Sequence, residues 1–503
     1  MHLPGSQIGD LFEPMTGRAW EAASVRDRIG ARHRFYRSEG MARGDRVFIL
    51  HGNNLEFFVD LLAIWLSGAC AIPVDTRLTP FEIEHLLNAA RPRFATAMPS
   101  LDGALFAVLD KADVRALDST TESVAAGSGD PGPGMFLDDP AVILFTSGTT
   151  GNPKGVVHTH RSLRARWALL TQSLGTESYR RSLCLLPTHF GHGLICNSLF
   201  PWLNGADLGV LPSFNAEVAG SLGRIIDDNS ITFLSSVPSL WKLALKVSGA
   251  PSGKSLKRVH CGSAPLSRQL WEEIRDWAGT KQVFNAYGIT ETGSWTAGTT
   301  MDGFEPADGL IGLPWGAEIR VLDSATVETG PNVPRECAAG EEGYIWLNTP
   351  ALMQGYLDQD ELTREVVVNG WFSTGDAGLL DERGCLFLKG RLREEINKGG
   401  LKVYPGDIDA VAEAAPKVND VCTFAVEDSL YGQNVGIALV IEGNPDTVMP
   451  DVRSQMAERL AQHQMPVCWY VVDEIPRTSR GKINRAAVAE TCLALPRFRF
   501  AAN

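Results

Sequence analysis

The 503-residue sequence has no Cys-x-x-Cys pair, and its nine cysteines are odd in number and scattered along the chain. That argues against a disulfide framework, and no His, Cys and Asp grouping has the spacing of a structural zinc or other transition-metal site. Free thiols in a reducing compartment are expected. Long apolar runs are missing too: none approaches the ~20 residues that a membrane-crossing helix needs. The segment Met1–Asp10 lacks the basic-then-apolar order of a secretory signal, so a cytoplasmic location is the expectation. Positive charge is in deficit. Lys and Arg number 46 against 59 Asp and Glu, a formal net charge of -13, which argues against nucleic acid as the main partner. No tandem repeat or low-complexity tract occurs.

What remains is a globular composition, 44% hydrophobic and 21% charged, in a chain too long for a single core. Strands and helices alternate in the first half. Asp45–Leu50 reads as a strand and Asn54–Ser67 as an amphipathic helix with Phe57, Leu61, Ile64 and Trp65 on one face. Ala69–Val74 is a second strand and Phe81–Ala89 a second helix. This order predicts layered α/β structure around a largely parallel sheet. From Gly312 onward the texture turns to short strands, at Glu318–Leu322, Gly343–Leu347 and Gly384–Leu388, a β-rich subdomain. Past Gly390–Glu395, strands at Val421–Val426 and Val435–Ile441 and a helix across 451–462 predict a small α+β domain. The expected division is 1–391 and 392–503.

One stretch carries chemistry on its face. Thr146–Gly155 holds three glycines, four hydroxyl side chains and Lys154, and follows the apolar run Ala141–Phe145, read as a buried strand. Small residues let a backbone wrap an anion, hydroxyls and main-chain N–H groups donate to it, and the lysine adds a point charge. Behind it Leu163, Trp167, Leu170 and Leu174 recur at helical spacing, so the expected order is strand, loop, helix, as in phosphate-binding loops. It is not a Walker A loop, because Gly-x-x-x-x-Gly-Lys-Ser/Thr cannot be laid onto it. Taken alone, the stretch is equally a flexible glycine-rich turn.

Five further motifs follow it: Gly262-Ser-Ala-Pro-Leu266, Tyr287-Gly-Ile-Thr-Glu291, Gly370-Trp-Phe-Ser-Thr-Gly-Asp376, Gly390-Arg-Leu-Arg393 with Gly399-Gly400, and Pro476-Arg-Thr-Ser-Arg-Gly-Lys482. With these in this order the chain resembles, over nearly its whole length, the adenylate-forming superfamily of acyl- and aryl-CoA synthetases, carrier-loading adenylation domains and firefly-type luciferases. The resemblance implies a large N-terminal domain of layered α/β and β-rich subdomains and a small mobile α+β C-terminal domain. It implies ATP-dependent activation of a carboxylic acid to an acyl-adenylate, with pyrophosphate released, then transfer to the thiol of CoA. A carrier-protein phosphopantetheine or an amine is the alternative acceptor. ATP, Mg2+ and CoA are the implied cofactors.

The reaction joins two anions, so it needs cations, donors and fixed geometry. By resemblance, Thr146, Ser147, Gly148, Thr149, Thr150, Gly151 and Lys154 hold the outer phosphates, Thr290 donates to the α-phosphate and Glu291 holds Mg2+. Tyr287, between Ala286 and Gly288, stacks on adenine, while Gly262, Ala264 and Pro265 pass its other face. Asp376 and Arg391 take the ribose. Lys482 bridges the carboxylate and the α-phosphate. Arg393 falls at the interdomain pivot, where relatives carry Asp or Lys, and Gly399 and Gly400 shape the thiol channel. Phe190-Gly191 stands where amino-acid-activating relatives carry Phe-Asp, which disfavours an α-amino acid. Phe190 is the implied gate of the acid pocket. His192 and Cys196 share one helix face along it, Trp295 is its floor, and His189 and Cys261 are wall candidates. This set predicts an aryl or heteroaryl or short-chain acid in preference to a long fatty acid. His192 either bonds a ring substituent or is satisfied by backbone.

Overall fold

The computed structural model describes residues 8–121, 135–146, 154–212, 214–300, 304–324, 334–391, 394–398, 401–428, 431–478 and 482–500. Three sheets organise them, of fourteen, seven and five strands among the described residues. In the seven-stranded sheet Arg46–Leu50 is central, parallel to Cys70–Pro73 on one side and Phe94–Ala97 on the other. Its alternation sets the layers: Val47 and Ile49 face one core, Phe48 and Leu50 another. Both faces are covered, so the strand is apolar throughout.

Helix Leu55–Leu66 explains the inner layer. It starts at Asn54, whose side chain accepts from the Phe57 N–H, and every residue from Leu55 to Trp65 is buried. The sequence pattern marked one apolar face. The whole helix is enclosed because it lies between two sheets, sharing a core with Leu208, Phe233 and Phe284 of the large sheet. Leu163, Trp167 and Leu170 of helix His160–Leu174 join that core. Helices Ala216–Asp228, Pro238–Val247 and Arg268–Ala278 cover the far side of the large sheet, and Pro80–Ala90 and Gly103–Lys111 the far side of the smaller one. The result is five layers, helix–sheet–helix–sheet–helix.

The large sheet is parallel from Leu11–Phe12 to Val283–Ile289 and antiparallel beyond, so the β-rich part continues the same hydrogen bonding. The small sheet starts at Ile396, carries helices Pro405–Glu413, Pro445–Arg459 and Arg485–Leu493, and has its own core. All nine cysteines are unpaired and eight are buried. No helix among the described residues is long and apolar enough to cross a membrane.

The order strand, loop, helix expected around Thr146–Gly155 is corrected. Pro140–Thr146 pairs antiparallel with a second strand, Lys154–Thr159, and the helix begins only at His160. Val156 and Val157 favour the extended form and pack to opposite sides, Val156 beside Tyr356 and Val157 beside Ile143. The strands on either side of residues 147–153 are therefore an antiparallel pair, and the helix begins one strand later.

One buried polar network ties this unit together. Asp60 is fully enclosed and meets the Arg32 guanidinium, the His51 Nε2 at 2.9 Å and the Ser119 hydroxyl at 2.6 Å. Burial alone would raise its carboxyl pKa, but Arg32 and His51 outweigh that and hold it below the usual range. Removing the anion leaves a buried guanidinium uncompensated. Asp60→Ala is expected to cost about 3–5 kcal/mol, read as a loss in equilibrium unfolding free energy in urea.

Candidate functional site

The site gathers where strand Val283–Ile289 of the large sheet runs into the turn Thr290–Thr292 and back along Ser294–Gly298. The reversal is tight. Gly293 and Ser294 both take left-handed backbone, at φ 72° and 74°, and a Cβ on Gly288 would overlap the Ser294 carbonyl oxygen. A Cβ on Gly262 would likewise overlap the Ala286 carbonyl on the neighbouring strand. The turn is held from below by two buried side chains. His158 Nε2 donates to the Thr290 carbonyl at 2.7 Å. Arg166 donates to the Thr292 carbonyl through Nε and Nη2, to the Trp315 carbonyl through Nη1 at 2.9 Å, and to the Thr349 hydroxyl. Burial lowers the His158 pKa to about 4 and that of Arg166 to about 10.

Above the turn, the Tyr287 hydroxyl donates to Asp376 Oδ2 at 2.6 Å, both side chains being buried. Asp376 lies opposite Arg391 in the strand register. Tyr356 joins two more candidates: its hydroxyl donates to Glu291 Oε1 at 2.8 Å, and Lys154 Nζ stands 5.5 Å from its ring centre. Thr146 faces Lys154 across the hairpin. Ala286 is buried, Ala264 half-buried and Pro265 exposed. Ser147, Gly148, Thr149, Thr150, Gly151, Arg393, Gly399 and Gly400 lie outside the described residues.

Below lies a closed aromatic floor. His192 opens a π-helix, His192–Leu199, whose wide turn is seen where the Ser198 hydroxyl reaches back to the Gly193 carbonyl at 2.7 Å. His192 lies between two hydroxyls, Nδ1 at 2.8 Å from Ser263 Oγ and Nε2 at 2.6 Å from Ser235 Oγ. The open choice of partner thus falls to serine side chains rather than backbone. Its ring meets Phe190 at 6.3 Å and Trp295 at 5.6 Å. Cys196 Sγ is 3.4 Å from the Gly293 carbonyl. Ser263 itself is strained, with φ 65°. Burial, then the nearby Lys482 ammonium, pushes the His192 pKa down to about 3.

Of the two wall candidates, Cys261 turns elsewhere. Cys261 packs into the outer core with Trp241 and Trp271, and strand alternation puts its neighbour His260 on the floor instead, 4.4 Å from the Trp295 ring. His189 Nε2 reaches Asp75 at 3.4 Å. Sequence reasoning missed His158, Arg166, Tyr356, Ser263 and His260. Arg166 alone left a signal, a basic residue on the apolar stripe of Leu163, Trp167 and Leu170.

A sequence profile of the AMP-binding enzyme family matches residues 24–357, and one for the AMP-binding enzyme C-terminal domain matches 407–482. The long-chain-fatty-acid–CoA ligase FadD13 of Mycobacterium tuberculosis is 29% identical over 464 residues, 90% of this chain and 89% of that one. The fatty acid–[acyl-carrier-protein] ligase ScoC of Streptomyces coeruleorubidus is 30% identical over 464 residues, 89% and 87% of the two chains. ATP-bound MatB from Rhodopseudomonas palustris, 26% identical, superposes with a TM-score of 0.85 over 96% of both chains. Apo MatB, 25% identical, gives 0.75 over 98% of this chain and 97% of that one. The arrangement of this chain is nearer the ATP-bound form.

The neutral His158 has a pH consequence. Its folded pKa, about 4, lies below the ordinary 6.5, so its contribution is complete above pH 6.5 and is lost as pH falls towards 4. Wild type is expected to lose about 2 kcal/mol more than His158→Gln between pH 7 and pH 5, read from urea unfolding at each pH.

Proposed function

The chain belongs to the AMP-binding enzyme family and is an acid–thiol ligase of the AMP-forming kind, and on that premise we propose that it activates a compact aryl or short-chain carboxylic acid with ATP and passes the acyl group to the thiol of CoA. The observation that carries this reading is the meeting of Glu291 and Lys154 at Tyr356, by a 2.8 Å hydrogen bond and a 5.5 Å ring contact, with the charge of Lys482 from the small domain felt at His192. In this reading the division between domains falls at 391/392.

An acid carboxylate on that floor attacks the α-phosphorus of ATP. One P–O bond forms, the bond to the leaving pyrophosphate breaks, and Lys482 offsets the charge shared between carboxylate and phosphate. Thr290, held by His158 through its carbonyl, presents a hydroxyl for an α-phosphate oxygen. Lys154, beside Tyr356, is the cation for the outer phosphates. Glu291 offers one hard oxygen ligand. No group of three or more His, Cys, Asp or Glu side chains that could hold a metal occurs among the described residues, which suits Mg2+ held mainly by phosphates and water. Mg2+, when bound, would neutralise phosphate charge there. Tyr287 and Asp376, joined by their hydrogen bond, form the surface for adenine and ribose. The CoA thiolate then attacks the acyl carbon and AMP leaves.

Two features support the acid class. His192, Trp295, His260 and Trp315 fill the floor with rings, which shortens it against a long chain. His260 Nδ1, Trp295 Nε1 and Trp315 Nε1 are buried there without hydrogen-bond partners. Arg258 donates to the Tyr179 oxygen at 3.1 Å, and that oxygen lies 3.3 Å from His260 Nε2. Two indole N–H donors lacking acceptors favour an acid whose far end bears an oxygen. The 30% identity to ScoC supports a second reading, in which a carrier-protein phosphopantetheine takes the acyl group.

A pyrophosphate-release screen across aryl, short and long-chain acids, with CoA, holo carrier protein or an amine as acceptor, tests all of this. Acids with a distal carbonyl or hydroxyl are expected to lead, and turnover of long-chain acids alone would overturn the assignment. Lys482→Ala is expected to lower pyrophosphate release by about 100-fold or more while sparing thioester formation from preformed acyl-AMP. Equal loss of both steps would remove Lys482 from this role.

A further inference from the structure

Arg477 stands five residues before Lys482 and has a partner of its own. Its Nη2 lies 2.7 Å from both carboxylate oxygens of Asp420, on strand Val418–Asp428 of the small sheet. Asp420 Oδ1 is also 3.3 Å from Nζ of Lys242, which belongs to helix Pro238–Val247 on the outer face of the large sheet. The same Nζ reaches Glu413 Oε1 at 2.5 Å, at the end of helix Pro405–Glu413. One ammonium of the large domain thus meets two carboxylates of the small one. The four side chains are 20–26% exposed, so the contacts are partly shielded from water.

Backbone carries the connection onward. Arg477 pairs with Ile483 in an antiparallel bridge, and the Thr478 N–H donates to the Lys482 carbonyl at 2.7 Å. Asp420 therefore grips Arg477, whose backbone is tied to the segment that carries Lys482, while Lys242 grips Asp420. We propose that Lys242 is a positioning residue for adenylation: the ionic latch Lys242–Asp420–Arg477, with Glu413 beside it, seats the small domain where Lys482 reaches the acid, and opens before the thiol step. The inference rests on the role of Lys482 given above.

The chemistry suits a contact made and broken in each turnover. Partly exposed ion pairs are worth little individually and separate without exposing an apolar surface. An ammonium is a compact charge that serves two carboxylates without the fixed fork of a guanidinium. The better superposition on ATP-bound MatB than on apo MatB is a difference between those two structures in the same direction.

The test separates the half-reactions in Lys242→Glu, Lys242→Met and Lys242→Arg, using the acid that leads the pyrophosphate screen. Lys242→Glu faces Glu413 and Asp420 with like charge and is expected to slow ATP–pyrophosphate exchange about tenfold, Lys242→Met about threefold, and Lys242→Arg little. Thioester formation from the synthetic acyl-adenylate and CoA is expected to stay at the wild-type rate or rise. Small-angle scattering of the full chain reads the domain arrangement without turnover, and Lys242→Glu is expected to shift the profile obtained with a non-hydrolysable ATP analogue. Unchanged exchange, an unchanged profile, or both half-reactions falling together would overturn the latch. Wild type that exchanges pyrophosphate with no acid would count against the functional reading alone, and the scattering comparison would still decide the latch.

Discussion

A guanidinium enclosed among neutral oxygens holds the turn from which the site is built. Arg166 has no exposed surface and is surrounded by the carbonyls of Thr292 and Trp315 and the hydroxyl of Thr349. A cation in such surroundings persists only when its N–H groups are satisfied, so the three oxygens and the helix carrying Arg166 constrain each other. His158 does the same for the Thr290 carbonyl from the hairpin strand. Thr290 and Glu291 are thereby displayed from a turn fixed at both ends, as groups need to be when they must meet a phosphate without first being ordered.

The chain is acidic overall, yet the proposed chemistry needs positive charge where two anions meet. The lysines implied for that task come from separate places: Lys154 from the hairpin of the seven-stranded sheet, Lys482 from the small domain. In the proposed reaction this division supplies a moving part. A cation that leaves with the small domain can serve the first bond-making step without obstructing the second. Under the two proposals, the ion pairs around Asp420 bear on timing and the aromatic floor under His192 on the choice of acid.

Much of this was legible in order along the chain. Alternating strands and helices predicted layered α/β structure, and Glu318–Leu322 appears with the same limits as read from its pattern. Among the candidates, Tyr287 meets Asp376, and Glu291 and Lys154 meet at Tyr356, because each motif sits at a strand end or a tight turn that a one-dimensional pattern can mark. The phosphate loop was misplaced in its surroundings: helical spacing behind it masked a β-strand of six residues. Cys261 was expected in the wall of the acid pocket, whereas its neighbour His260 faces that side, because a pocket-lining position read from a motif is uncertain by one residue, and in a strand one residue changes the face.

By itself, the sequence determined the layers, the order of the motifs and the chemical types at the site, since these depend on local periodicity, glycine placement and charge. Only the tertiary structure decided that Tyr287 and Asp376 are bonded, that Tyr356 links Lys154 to Glu291, and that Lys242 meets Asp420 and Glu413. Those pairs lie 89, 65, 178 and comparable numbers of residues apart. Contacts of that separation leave no periodic trace in the chain, because they depend on how whole layers pack and not on which residue follows which.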